Sequence, residues 1–278
     1  LLVSAGLETV ALRAPAHPLA QDLLARFGGP IAAPSANRAG EISPTTAAHV
    51  SDSLGDAADL IIDGGACMVG LESTVIDLCG ARPAILRHGA VTQEQLERML
   101  GPIDDASVLD AGQPPRSPGQ ITKHYAPSIP LRINATDLRP DEAFVAFGEP
   151  HKGEAAVIRS LSPSGDVIEA AARLFATLRE LDRSEFAGIA VAPVPDTGIG
   201  RAVNDRLRRA AAAHKDTATG STHVLPASNE GTTSKAMNKL TTAPETDLPD
   251  GLLERLTEIV GEAGLVTDVS DMEPYIAE

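Results

Sequence analysis

The chain has 278 residues, 43% apolar and 22% charged, with a formal net charge of −15. That length allows two domains with real cores, while the acidic balance argues against a tight grip on nucleic-acid backbone, which calls for a basic surface. Two cysteines, Cys67 and Cys79, form no disulfide framework, no run of ~18 apolar residues suggests a membrane span, and the 3% aromatic content leaves Ala, Val, Leu and Ile to build the cores.

Val10 to Pro15 reads as a strand ended by Pro15. His17 to Phe27 has helical spacing in Leu19, Leu23, Leu24 and Phe27, with Pro18 in the first turn and Gly28-Gly29 as the stop. Ile31 to Pro34 reads as a strand running into a Ser-Ala-Asn turn at Ser35 to Asn37. Ser43-Pro44 then reads as the N-cap and first position of a helix to Leu54. Leu60 to Asp63 is a further strand candidate, closed by Gly64-Gly65. Ser73 to Cys79 and Ala84 to His88 flank a Gly-Ala-Arg-Pro turn and predict a hairpin. Thr92 and Gln95 make a capping-box pattern for a helix to Leu100.

Residues 102–130 hold six prolines and little periodicity, and read as an interdomain linker. A second α/β unit follows over 131–213. Its strand candidates are Ala143 to Phe147, Ala155 to Ile158 and Gly188 to Ala192, and its helices Val167 to Leu181 and Ala202 to Ala213. Arg201, Arg206, Arg208 and Arg209 surround the second helix. No GxGxxG supports a dinucleotide role. Residues 214–247 are rich in Thr, Ser, Ala and Asn and read as disordered. Helical spacing returns from Leu248 to Gly264, so that 248–278 reads as a helical fragment.

Several polar residues are open to two readings. Arg13, at a predicted strand end, suits a carboxylate held by two parallel hydrogen bonds, or a surface ion pair. Thr9, four residues earlier, falls on the same strand face. Ser35 and Asn37 fit ordinary turn chemistry as well as ligand contact. Ser43 suits an N-cap and, at a helix N-terminus, a phosphate site. Ser73 reads as a strand starter, Arg87 as a surface cation and Tyr125 as an apolar anchor for the linker. No CxxC or HExxH spacing suggests a metal, and His17, His49, His88 and His124 read as structural. On composition and spacing alone this is an α/β protein with a possible anion site.

Seven stretches, in order, resemble the YrdC-like threonylcarbamoyl-AMP synthases in their long, two-domain form. They are ETVALRAPAHP, PIAAPSANRAGEISPTTAAHV, LIIDGG, VGLESTVIDL, AILRHGAVT, SPGQITKHYAP and GIGRAVNDRLRRAA. The resemblance implies a twisted mixed-sheet YrdC-like domain, present in part over 1–101, a linker and lid over 102–130, and a small Rossmann-like second domain over 131–213. It also implies a reaction. L-threonine and bicarbonate give a carbamate, which attacks ATP; threonylcarbamoyl-AMP and pyrophosphate leave, with Mg²⁺ accompanying ATP. Downstream threonylcarbamoyl transferase proteins would pass the product to adenosine in tRNA, in the cytoplasm. Carried over by motif, Arg13, Ala33 (through its backbone) and Ser73 bind threonine. Thr9, Ser35, Ser43, Arg87 and Tyr125 bind the nucleotide, Asn37 shapes the turn, and Tyr125 closes the lid.

Two departures are expected. The family's domain begins before Leu1, so the chain reads as N-terminally truncated and its activity as doubtful. Leu248 to Glu278 weakly resembles the opening of an FAD-linked oxidase, with Met237 as a candidate start, which suggests two neighbouring genes read as one. The competing readings are an RNA-binding YrdC-like module, disfavoured by the charge, carbamoyl transfer in hydrogenase maturation, disfavoured by the linker and second domain, and a flavin oxidase fragment resting only on the tail.

Overall fold

Two sheets organise the chain, and the contrast between them begins with strand length. A computed structural model describes residues 9–108, 115–117, 125–149 and 152–215, with the side chains of 214 and 215 left aside. The first sheet is short and mixed. Strand β1 (Val75–Asp77) pairs antiparallel with β2 (Ala84–Arg87), the predicted hairpin, and β2 pairs parallel with β3 (Asp104–Asp105). The expected linker thus contributes a strand of its own. Helix α3 (Gln93–Leu100) carries the predicted capping box: Thr92 accepts from the Gln95 N–H, and the Gln95 side chain accepts from the Thr92 N–H at 2.8 Å. Its Leu96 closes a small core with Ile85 and Ile103.

The second sheet is all parallel, in the order β4-β7-β5-β6. Its strands are β4 (Leu131–Arg132), β5 (Glu142–Phe147), β6 (Val157–Ser162) and β7 (Gly188–Val191). Alternation sorts its side chains by face. Ala143, Val145, Ile189 and Val191 pack against helix α4 (Val167–Leu181) and helix α5 (Gly200–Lys215), which supply Ala171, Leu174, Phe175, Ala202, Val203 and Leu207. Phe144, Ala146, Ala190 and Ala192 face the other way, against Ala135, Leu138 and Ala155. A Rossmann-like unit would place helices on both faces. Here α4 and α5 share one face, and no helix joins β5 to β6 among the described residues. Strand β6 also starts two residues later than its periodicity suggested, and α5 begins earlier, at Gly200.

Differences concentrate before residue 70. Helix α1 (Pro18–Phe27) forms as predicted, with the His17 side chain accepting from the Leu19 N–H and Gly28 closing it at φ 71°. Helix α2 (Ala47–Leu54) starts later than Ser43-Pro44 suggested, because Thr46 supplies the cap and accepts from the His49 N–H. The three segments predicted as strands over 10–15, 31–34 and 60–63 pair with no described strand. A strand exists only with a ladder partner, and local propensity cannot supply one. The tail calls over 216–278 lie outside the described residues. Among the described residues no helix is long and apolar enough to cross a membrane.

Candidate active site

The two units meet on the helix side of the parallel sheet. Ile42 and Tyr125 join the large core of the second unit, and Val69 and Leu71 pack against it. Gly70 makes this approach possible. It sits at φ 69°, and a Cβ there would lie 2.4 Å from the Ala172 carbonyl oxygen of α4. From the same helix, Arg179 donates to the carbonyls of Ile42 and Ser43 and to the Ser53 hydroxyl.

A polar network forms at this junction. The Ser43 hydroxyl donates to Glu72 Oε1 at 2.5 Å, and Arg206 Nε of α5 donates to Glu72 Oε2 at 2.9 Å. Arg206 Nη1 donates to Asp205 at 2.8 Å. The Arg206 guanidinium stands 5.3 Å from the centre of the Tyr125 ring, and that ring stacks on Phe175 with centroids 5.5 Å apart. Arg206 has no side-chain exposure, and its Nη2 is buried without a hydrogen-bond partner among the described residues. Tyr125 is 1% exposed at φ 65°. A bulky residue in the left-handed region is costly and persists only where its surroundings hold it. Here Phe175, Arg206 and the bridge from Ala126 to Glu41 do so.

The charges respond to one another. Burial alone would raise the Glu72 carboxyl, but the Arg206 charge and the Ser43 hydrogen bond hold it below the usual carboxylate range. Burial works against the Arg206 cation, yet Glu72 and Asp205 outweigh it and keep it firmly charged. Burial pushes the Tyr125 phenol up, so it stays neutral. Arg87, 6% exposed, donates through Nε to the Ser73 carbonyl at 3.0 Å. Its cation is disfavoured first by burial and then by Arg206, with Arg13 adding to the repulsion. The Arg87 cation thus feels two other guanidiniums, the buried Arg206 and the exposed Arg13. Gly89 helps set the frame, since a Cβ there would meet the Thr74 nitrogen at 2.3 Å and the Glu72 carbonyl at 2.5 Å.

Ser43, Arg87 and Tyr125, all expected at the site, are thus brought together, and the Ser73 backbone joins them. Ser43 departs from expectation in its local role: it lies before the helix it was to cap, and its hydroxyl donates to Glu72. Arg13 is exposed and acts on Arg87 only through its charge. Thr9, Ala33 and Ser35 are exposed and make no hydrogen bond to another described residue. Asn37 is buried and shapes its turn, donating to the carbonyls of Arg38 and Glu41 at 2.9 and 3.1 Å. Glu72 and Arg206 escaped sequence reasoning. Their signal was present, one beside Ser73 and one in an arginine-rich helix, but nothing local says that residues 134 positions apart form an ion pair.

Known proteins give this junction a context. A family profile described as "Threonylcarbamoyl-AMP synthase, C-terminal domain" matches residues 91–212, and one described as "Telomere recombination" matches residues 1–89. A Bacillus subtilis protein named threonylcarbamoyl-AMP synthase is 38% identical over 226 residues, which cover 75% of this chain and 65% of that protein. The crystal structure of P. abyssi Sua5 complexed with L-threonine superposes with a TM-score of 0.66 at 32% identity, covering 76% of this chain and 66% of that one. A P. abyssi Sua5 variant with an adjacent His and Tyr both changed to Ala superposes with a TM-score of 0.62 at 31% identity, over 75% of this chain and 64% of that one. The chain belongs to the Sua5/YrdC family. It spans about two thirds of the length of these relatives, 65% and 66% for the first two.

Proposed function

We propose that the chain carries the site of a threonylcarbamoyl-AMP synthase, which joins L-threonine, bicarbonate and ATP. The observation that carries this reading is the junction itself, where the buried Arg87, held to the Ser73 carbonyl, is gathered with Ser43 and Tyr125 around the network of Glu72 and Arg206. Burial and its neighbours disfavour the Arg87 cation, and an anionic ligand beside a buried guanidinium relieves that cost. The substrates offer a carboxylate and a triphosphate. Binding of L-threonine by the P. abyssi relative points the same way.

The chemistry asks for positioning and charge stabilisation rather than a protein nucleophile. Threonine's amine takes up carbon dioxide to give a carbamate. A carbamate oxygen bonds to the α-phosphorus of ATP, and the bond from that phosphorus to the bridging oxygen breaks to release pyrophosphate. Arg13 would pair with the threonine carboxylate, with Ser73 and the Ala33 backbone beside it. Thr9, Ser35, Ser43 and Arg87 would hold the nucleotide, and Tyr125 would close over it. This sequence has one His-Tyr pair, His124-Tyr125, the residue types replaced together in the P. abyssi variant. Mg²⁺ would arrive with ATP. Glu72 and Asp205 are both taken by Arg206, and no cluster of three acidic, His or Cys groups suits a metal among the described residues. They provide no ligand set that fits the ion. The product would pass to threonylcarbamoyl transferase proteins acting on tRNA in the cytoplasm.

Calorimetric titration of threonylcarbamoyl-AMP into the purified chain tests the reading. Saturable binding that is lost in Arg13→Ala and weakened in Tyr125→Ala supports it. A folded chain that neither binds the product nor releases pyrophosphate from ATP with threonine and bicarbonate overturns it.

A further inference from the structure

The second unit has no part in the chemistry proposed above, yet one of its side chains lies at the centre of the network. Arg206 sits on α5, and each partner it has belongs to a different piece of the site. Glu72, which in turn holds Ser43, comes from the first unit. The Tyr125 ring comes from the linker. Asp205, the neighbour on α5, fixes the other arm of the fork. A lysine could not meet these demands in several directions, because only the planar guanidinium offers a rigid fork and a flat face together.

Helix α5 grips the linker a second time. Arg209 Nη2 donates to the Ser107 carbonyl at 3.0 Å, and Arg209 Nε pairs with the same Asp205 at 3.0 Å. At the linker's exit, Asp182 after α4 accepts from the Ser128 N–H at 2.8 Å and from the Ile129 N–H at 3.2 Å. The linker is therefore fastened to the second unit at Ser107, at Tyr125 and at Ser128. Of these three fastenings, only the one at Tyr125 also reaches the first unit through the same side chain.

We propose that Arg206 is a positioning residue for the nucleotide site: by clamping Glu72 and Tyr125 together it lets the second unit hold Tyr125 in its seat against the first. The proposal deepens the synthase reading and rests on it for the identity of the ligand. It gives the second unit a task, which is to set the seat of Tyr125 and the orientation of Ser43. Loss of Arg206 leaves Glu72 buried without its cation and Tyr125 in a costly backbone conformation with one restraint fewer. Tyr125 then loses its seat, and ligand affinity falls although no ligand-binding side chain has been removed.

The chain has two tyrosines, Tyr125 and Tyr275, and no tryptophan. In a Tyr275→Phe background of the full chain, fluorescence therefore reports Tyr125 alone, and acrylamide quenching reads its seating without any ligand. Arg206→Met is expected to raise the quenching constant by about threefold or more, as a buried ring gains solvent through local opening. It is also expected to weaken threonylcarbamoyl-AMP binding by about tenfold or more, the scale of a desolvated cation–π contact. Arg206→Lys should fall between the two. Arg208→Met, an exposed arginine of the same helix paired with Asp196, should match the parent.

Quenching in Arg206→Met equal to the parent overturns the proposal, whatever the ligand data show. A lowered melting temperature with unchanged quenching and affinity overturns it too, since that is a merely structural role. Should the parent bind no ligand, the synthase reading fails and quenching alone decides the clamp. If Arg206→Met does not fold, Glu72→Gln/Arg206→Met, which leaves no buried carboxylate stranded, is read in its place by the same criteria.

Discussion

Residues 9–68 and residues 131–213 are built from the same aliphatic side chains, yet they use them in opposite ways. Leu12, Leu60 and Met68 are 71%, 78% and 89% exposed, whereas Val145, Leu174 and Ile189 are fully buried. The difference is not one of hydrophobicity. In the second unit a parallel sheet offers a continuous apolar face, and two helices cover it. In the first segment the extended stretches pair with no described strand, and no sheet face among the described residues covers their apolar side chains. Apolar content favours burial only where a second surface is available.

Leu174→Ala should break the comparison most sharply. It empties the middle of the α4 face, and the expected cost is about 2–5 kcal/mol, read as a fall in the denaturant midpoint. Gly70→Ala comes next. Its Cβ would collide with the α4 backbone at a positive φ, and strain of about 1–3 kcal/mol is expected. Its signature should be looser docking of the two units, seen as faster amide exchange around Ile42 and Tyr125. Unchanged exchange there would mean the contact carries little.

The acid limb sharpens the comparison further. Glu72 has a folded pKa below its ordinary value, so its contribution to stability is present above the ordinary glutamate range and is lost as pH falls through the depressed value. Melting temperatures followed from about pH 6 to pH 3, a range spanning the ordinary glutamate pKa, should drop less steeply in Glu72→Gln than in the parent. Parallel curves would sink this assignment. The smallest effect is expected at Leu60→Ser. An exposed side chain without packing partners should change stability by no more than about 0.5 kcal/mol, and a large loss would show that the surface around residue 60 is covered in solution.

Much of the molecule was legible in the chain. Helix α1 with its Pro18 start and Gly28 stop, the hairpin of β1 and β2, the Thr92 capping box and the full span of α4 all follow from signals a few residues apart. Such signals are local, because capping, turn and amphipathic preferences act within one or two turns of chain. At the junction, Ser43, Arg87 and Tyr125 were singled out from the chain and lie together, although Ser43 precedes the helix it was read as capping.

What only the tertiary structure decided is pairing at a distance. Whether an extended stretch becomes a strand depends on a ladder partner, and that separated β5 and β7 from the stretch over 10–15. Placement of both helices on one face of the second sheet was decided by connections rather than periodicity. The ion pair of Glu72 with Arg206, and the left-handed Tyr125 held beneath it, arise where two units and a linker close on one another. No sequence window contains that event, because its stability comes from removing charges and rings from water together.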